Sequence, residues 1–199
     1  MEGSHFFIWV TMDDLENRFT PPTNFCPHPE YWHSPDSEAT ELEVTALLGA
    51  LVRAIQPEFV VETGTYHGHT ALAIGNALVE NGHGKLVTIE SDGANHERAK
   101  GALSYLPTVE FILGNSMSYV PEANIDFAFF DSHQQQRANE FLRYHGLGFI
   151  KPGAIVAFHD TAPHHQVYQY VKDLLIDTEY IQHIQFMTPR GFLLAQVIK

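Results

Sequence analysis

Short apolar runs alternate with stretches of helical periodicity through most of this chain. Phe59–Glu62, Leu86–Glu90, Val109–Leu113, Ile125–Phe130 and Ala154–His159 are almost continuously apolar, as strands covered on both faces are. Between them, residues 69–80, 94–104, 134–148 and 164–176 are predicted to form helices. Another helix is predicted from about residue 38 to Gln56, where Leu42, Val44, Leu47, Leu48, Leu51, Val52 and Ile55 recur at helical spacing. Glu38, Glu41 and Glu43 stand near its start, where acids suit the positive end of the helix dipole. Strand and helix in strict alternation argue a doubly wound parallel sheet with helices on both faces. The rhythm breaks at the end, where Tyr180–Met187 and Gly191–Val197 flank Thr188-Pro189-Arg190-Gly191, a sequence suited to a type I turn. The expected fold is therefore α/β, a mostly parallel seven-stranded sheet ending in an antiparallel hairpin.

Residues 18–37 depart from this pattern. Five prolines (Pro21, Pro22, Pro27, Pro29 and Pro35) among Asn, His and Ser predict an irregular segment. Residues 1–37 read as a Pro-rich arm or lid, and 38–199 as one catalytic domain. Met1–His5 reads either as an artificial leader or as an upstream extension ahead of Met12, and the apolar Phe6–Val10 run as a surface for a second subunit, making a homodimer.

Composition narrows the class of partner. Eleven basic against 24 acidic residues give a formal charge of -13, which repels nucleic acid and anionic lipid and leaves a small molecule as the expected substrate. Cys26 is the single cysteine, no apolar run is long enough to span a bilayer, and no basic stretch precedes Phe6–Val10, so a cytoplasmic protein is expected. Of the 13 histidines, His28, His33, His83, His96 and His164 lie among turn formers or charges and are expected at the surface.

The candidate chemistry sits at strand ends. Glu62-Thr63-Gly64-Thr65-Tyr66-His67-Gly68 joins the first predicted strand to the helix containing Thr70, and glycines there let backbone approach a ligand. Glu90 ends the second strand, followed by Ser91, and reads as an acid accepting ribose hydroxyls or as a surface Glu before a turn. Gly114-Asn115-Ser116 ends the third, where Asn115 suits an adenine edge or a helix cap equally. Asp131-Ser132-His133 and His159-Asp160-Thr161 end the fourth and fifth. Two carboxylates and two imidazoles in one crevice suit a divalent cation with an imidazole as base. Helix capping by Asp131 and Asp160 is the plainer alternative.

Together these elements, over residues 38–197, resemble class I S-adenosylmethionine-dependent methyltransferases of the Rossmann-like fold, whose sheet ends in such a hairpin. They are similar in particular to the small cation-dependent O-methyltransferases that act on catechol, caffeoyl-CoA and macrocin. The resemblance implies that Glu62, Gly64, Thr65, Tyr66, Gly68, Thr70, Glu90, Ser91, Asn115, Ser116 and Asp131 bind S-adenosylmethionine. It further implies that Asp131, His159 and Asp160 hold a cation such as Mg²⁺ or Mn²⁺, and that His133 with Asp131 serves catalysis. His133 and His159 depart from the acids usual in that group. Either a site with one imidazole ligand favours metals such as Mn²⁺, Fe²⁺ or Zn²⁺, or the metal is lost and His133 deprotonates the acceptor unaided.

Three other readings compete. A nicotinamide dehydrogenase would carry Gly-x-Gly-x-x-Gly, which Gly64–Gly68 does not. A metal-dependent (Fe/Mn) oxidoreductase would use His133, His159 and Asp160 as a facial triad. A non-catalytic S-adenosylmethionine- or metal-binding protein would keep the fold without turnover.

Overall fold

Side chains along each central strand alternate between two helical layers, and both sets are buried. Val60, Leu86, Phe127, Phe129 and Ala157 pack with Val44, Leu48, Ala71, Ile74 and Leu78 on one side of the sheet. Val61, Val87, Ala128, Phe130 and Phe158 pack with Phe141, Tyr144, Val167 and Val171 on the other. This two-sided burial explains why the strands read as continuous apolar runs. The computed structural model describes residues 22–199; Pro21, the Phe6–Val10 run and Met1–His5 lie outside the described residues.

The elements in chain order are α1 (Leu42–Ile55), β1 (Phe59–Thr63), α2 (His69–Asn81), β2 (Lys85–Glu90), α3 (Gly93–Leu103), β3 (Val109–Leu113), β4 (Ile125–Phe130), α4 (Arg137–Gly146), β5 (Ile150–His159), α5 (Gln166–Val171), β6 (Ile181–Phe186) and β7 (Phe192–Val197). They build one seven-stranded sheet in the order β3-β2-β1-β4-β5-β7-β6. The five strands from β3 to β5 run parallel, while β7 pairs antiparallel with both β5 and β6. The expected parallel sheet with an antiparallel C-terminal hairpin is thus observed. The chain reverses its direction of winding between β1 and β4, and in open α/β sheets ligands bind outside the strand ends at such a switch point.

Several boundaries differ from expectation for local reasons. Helix α1 starts at Leu42, because Glu41 has extended backbone and turns its side chain inward. Helix α4 starts at Arg137 rather than near residue 134, since a turn in which the Gln136 N–H donates to the His133 carbonyl precedes it. Strand β5 begins four residues early, at Ile150, and its pairing with β4 is irregular beside the exposed Pro152 and Gly153. Beyond α5, Lys172–Ile176 continue as a wider helical turn, with the Asp177 N–H on the Lys172 carbonyl five residues back. His96, expected at the surface, is buried: with Ala99 and Leu103 it forms the inward stripe of α3.

The β6–β7 hairpin turns as its sequence suggests, the Gly191 N–H donating to the Thr188 carbonyl at 3.1 Å. It also holds the segment after β5, because Thr161 and Ala162 donate their N–H groups to Gly191 and Arg190 carbonyls. Arg190 is thereby delivered to the end of β5.

Backbone approaches backbone closely at the end of β1. Gly64 has φ +86°, and a Cβ built there would lie 2.3 Å from the Asp131 carbonyl oxygen. Gly64→Ala is accordingly expected to lower unfolding free energy by at least about 1–3 kcal/mol, through strain and displacement of the β4 end. Urea unfolding checks this, with Gly146→Ala, whose Cβ would meet nothing within 4 Å, as the control.

Candidate active site

A crevice of 480 Å³ opens over the carboxyl ends of β1, β2, β3, β4 and β5. Its upper half is built mainly by backbone. The β1–α2 loop passes through Gly64, Thr65 and Tyr66, with Tyr66 in the left-handed region at φ +48°. Glu90, at the end of β2, is fixed by two backbone donors: Tyr66 N–H at 2.7 Å on Oε2 and Asp92 N–H at 2.9 Å on Oε1. Each oxygen keeps a second lone pair for a ligand hydroxyl. Asn115 Oδ1 caps the Ser116–Ser118 turn by accepting the Met117 N–H, so the capping alternative is realised, while the residue still lines the crevice.

Beneath this wall lies a buried polar layer. Thr65 and Thr88 hydroxyls are 2.6 Å apart, and Thr88 donates to Glu62 Oε2 at 2.5 Å; no described group reaches Glu62 Oε1. Burial, with the charges of Asp131 and Glu90, pushes the Glu62 carboxyl up to about 8 against the Thr88 bond. Glu140 of α4 accepts hydroxyls from Thr63, Ser116 and Ser132, so one carboxyl ties together the segments after β1, β3 and β4. Burial raises its pKa despite those bonds.

The lower half is an ionic cluster. Arg137 places Nη2 2.9 Å from both Asp131 Oδ1 and Asp160 Oδ2. Its Nε donates to the Ser132 carbonyl and Nη1 to the His159 carbonyl. Arg190 grips Asp160 from the other side, Nε to Oδ1 at 2.6 Å and Nη2 to Oδ2 at 3.0 Å. His159, fully buried, has Nε2 2.6 Å from Glu41 Oε2 and Nδ1 3.2 Å from Asp131 Oδ1. Thr40 donates to Asp131 Oδ2 at 2.8 Å. Burial opposes a charge on His159, but Asp131 and Glu41 outweigh it and push the imidazole up to about 10. Burial would likewise raise Asp160, yet His159, Arg137 and Arg190 hold it below the ordinary carboxylate range. Glu41 is lowered in the same way by His159. With His159 protonated, three acids face three cations. Asp160 sits at φ +57°, a strained backbone state that these bonds hold in place.

Most of the sequence-derived candidates meet here. Gly64, Thr65, Tyr66, Thr70, Glu90, Ser91, Asn115, Ser116, Asp131, His133 and Asp160 all line the crevice. Glu62, Gly68 and His159 do not: Glu62 and His159 are wholly buried beneath it, and Gly68 faces Leu103 and Ala99 of α3. His133 is exposed at the mouth. The ligating atoms of Asp131, His159 and Asp160 do lie within 4.8 Å of one another. As arranged, however, Arg137 already bridges the two carboxylates, Thr40 and Arg190 hold their other oxygens, and both ring nitrogens of His159 face carboxylates, so the set does not fit a divalent cation, nor a facial triad with His159 as a ligand.

Arg137, Arg190, Glu41 and Glu140 were not anticipated. Arg137 carried a usable signal, since a cation in the first turn opposes the helix dipole and calls for an anionic partner nearby. Glu41 had been expected to serve that dipole, and instead pairs with His159. A second chamber of 350 Å³ adjoins the crevice, sharing Glu38, Gln134 and Arg190 with it, and includes Trp32, His164 and His165. Trp32 also packs on the α1–α2 layer, whereas Tyr31 is exposed and His33 is held by Glu43.

Sheet order and crevice together define a nucleotide-type site of the class I methyltransferase kind. Residues 61–161, just over half the chain, match the family described as "Methyltransferase domain". The chain belongs to that family and is an S-adenosylmethionine-dependent methyltransferase. Solved structures agree in fold. The O-methyltransferase TomG from Streptomyces achromogenes, involved in tomaymycin synthesis and crystallised with S-adenosylmethionine, is 24% identical over 81% of this chain and 82% of its own, with TM-score 0.66. The methyltransferase PaMTH1 from Podospora anserina, bound to S-adenosylhomocysteine, is 15% identical over 81% of each chain with TM-score 0.70. An O-methyltransferase from Bacillus cereus, also with S-adenosylhomocysteine, is 17% identical over 81% of this chain and 84% of its own with TM-score 0.67. No curated protein matches the sequence.

The shifted groups set a direction for stability against pH. His159 contributes stability that is complete below its ordinary 6.5 and is lost as pH rises through about 10. Glu62 adds a similar loss, from its ordinary 4.5 through about 8. Glu41 and Asp160, both lowered, act oppositely and lose their contribution as pH falls through the acid range. Urea unfolding free energy is expected to peak in mildly acidic solution and decline toward pH 10, with Glu62→Gln flattening the part of that decline below pH 8.

Proposed function

We propose that this protein transfers a methyl group from S-adenosylmethionine to a hydroxyl of a small molecule, with His133 removing the hydroxyl proton. The observation that carries this reading is the continuity of the crevice, which runs from the backbone-fixed Glu90 to Asp131 and His133 and then into the second chamber. The two O-methyltransferases among the structural neighbours, from Streptomyces achromogenes and Bacillus cereus, support the same kind of acceptor.

Bound S-adenosylmethionine supplies an electrophilic methyl on a sulfonium centre. Glu90 is placed to accept the ribose hydroxyls, and Gly64 and Thr65 offer backbone at close range. Asn115 lies where the base would rest. The acceptor enters from the second chamber, between Trp32 and Arg190. With the donor bound there, the acceptor oxygen would displace the sulfur at the methyl carbon, His133 would take the hydroxyl proton, and S-adenosylhomocysteine would be the leaving product. Such a displacement asks the protein mainly for alignment and for proton removal. A hydroxylated metabolite suits the strongly acidic chain better than nucleic acid or lipid surface does. Among the described residues no helix is long and apolar enough to cross a membrane, and Cys26 is buried and unpaired, which supports a cytoplasmic setting.

Calorimetric titration with S-adenosylhomocysteine is expected to give binding that Glu90→Ala weakens at least about tenfold, or ~1.4 kcal/mol. In a donor-consumption assay over a panel of hydroxylated acceptors, His133→Ala should lower kcat about 10²- to 10⁴-fold while leaving S-adenosylhomocysteine affinity unchanged. Turnover in that variant equal to wild type would remove His133 from the reaction.

A further inference from the structure

The resemblance to cation-dependent O-methyltransferases implies a metal among Asp131, His159 and Asp160, yet a different cation occupies their common centre. Arg137 Nη2 lies 2.9 Å from Asp131 Oδ1 and 2.9 Å from Asp160 Oδ2, the two carboxylates that would bridge an ion. The guanidinium is only 4% exposed, and two backbone carbonyls, of Ser132 and His159, orient its remaining nitrogens. Arg190 takes both oxygens of Asp160 from the opposite side. Thr40 occupies the second oxygen of Asp131. The ring nitrogens of His159 each face a carboxylate, so neither offers a lone pair to a metal.

We infer that the Arg137 guanidinium permanently replaces the divalent cation, and that this methyltransferase binds no metal at the Asp131–Asp160 centre. An entering ion would have to expel a buried guanidinium from both its counter-charges and leave it without a balancing charge, which is unfavourable. Arg137 is also covalently fixed by α4, whose first turn would repel it but for these two acids. The functional consequence follows from coordination chemistry. A metal holds an acceptor oxygen directly and lowers its pKa, whereas a guanidinium is a hydrogen-bond donor with no coordination position to offer, and four of its five N–H groups are already taken by two carboxylates and two carbonyls. The centre instead fixes the ends of β4 and β5 and leaves proton removal to His133. In that last step the inference rests on the function proposed above; its metal-binding claim does not.

Mn²⁺ binding by the full chain, followed by loss of the free-ion electron paramagnetic resonance signal, tests this with and without S-adenosylhomocysteine. Wild type is expected to leave the Mn²⁺ signal unchanged at sub-millimolar ion, and its melting temperature should be indifferent to chelator. Arg137→Ala, which frees two facing carboxylates, is expected to gain Mn²⁺ affinity by at least tenfold. Arg137→Lys, which keeps a cation there, should not gain it. Micromolar Mn²⁺ binding by wild type that Asp160→Asn abolishes would overturn the inference. If Arg137→Ala does not fold by circular dichroism, the wild-type titration and Arg137→Lys still decide. Failure of wild type to bind S-adenosylhomocysteine in the same samples would count against the proposed function and leave the metal result standing.

Discussion

Asp160 lies almost wholly buried between two guanidiniums, and the geometry of the site follows from that clamp. A buried carboxylate is costly unless paired and hydrogen-bonded. Here Arg137 arrives from the start of α4 and Arg190 from the β6–β7 turn, so satisfying one charge fixes two segments at the end of β5. Asp131 and His159 extend the pairing to β4, and Glu41 extends it to the entry of α1. The cluster thus works as a tie among segments as distant in sequence as Glu41 and Arg190, with the Arg190 N–H itself on Glu41 Oε1. Breaking one partner would leave the others charged in a dry setting, which makes the arrangement cooperative.

The upper half of the crevice is organised on the same logic by neutral and weakly acidic groups. Glu140 gathers three hydroxyls beneath the loops after β1, β3 and β4, and Glu62 closes a threonine chain below Thr65. These buried acids hold loop backbone in position while the exposed surface of the crevice is left to Glu90 and backbone groups. Rigid loops at a topological switch point are what alignment of a donor and an acceptor requires. The separation between a supporting layer below and a binding layer above explains why Glu62 is essential-looking in sequence and yet absent from the crevice wall.

The sheet was legible because its signal is local. Residues such as Val60, Val61, Phe127 and Ala128 are buried on alternate faces, and two-sided burial writes an unbroken apolar run. The hairpin was legible from Pro189 and Gly191. The starts of α4 and β5 were not, because a turn at His133 and the irregular stretch at Pro152–Gly153 depend on what the chain meets in space. Glu90, Gly64 and Asp131 could be placed from strand ends alone. The identity of the cation between Asp131 and Asp160 could not, since an acid pattern calls equally for a metal or a guanidinium. The deciding partners, Arg137 and Arg190, lie on a helix start and a turn where arginine is commonplace.

The most direct test of this account is a crystal structure of the protein with S-adenosylhomocysteine. Ribose hydroxyls are expected on the Glu90 carboxylate, the thioether sulfur directed toward Asp131 and His133, and the Arg137 guanidinium between Asp131 and Asp160. A nucleoside bound elsewhere, or Arg137 swung out with a metal ion between those carboxylates, would contradict it.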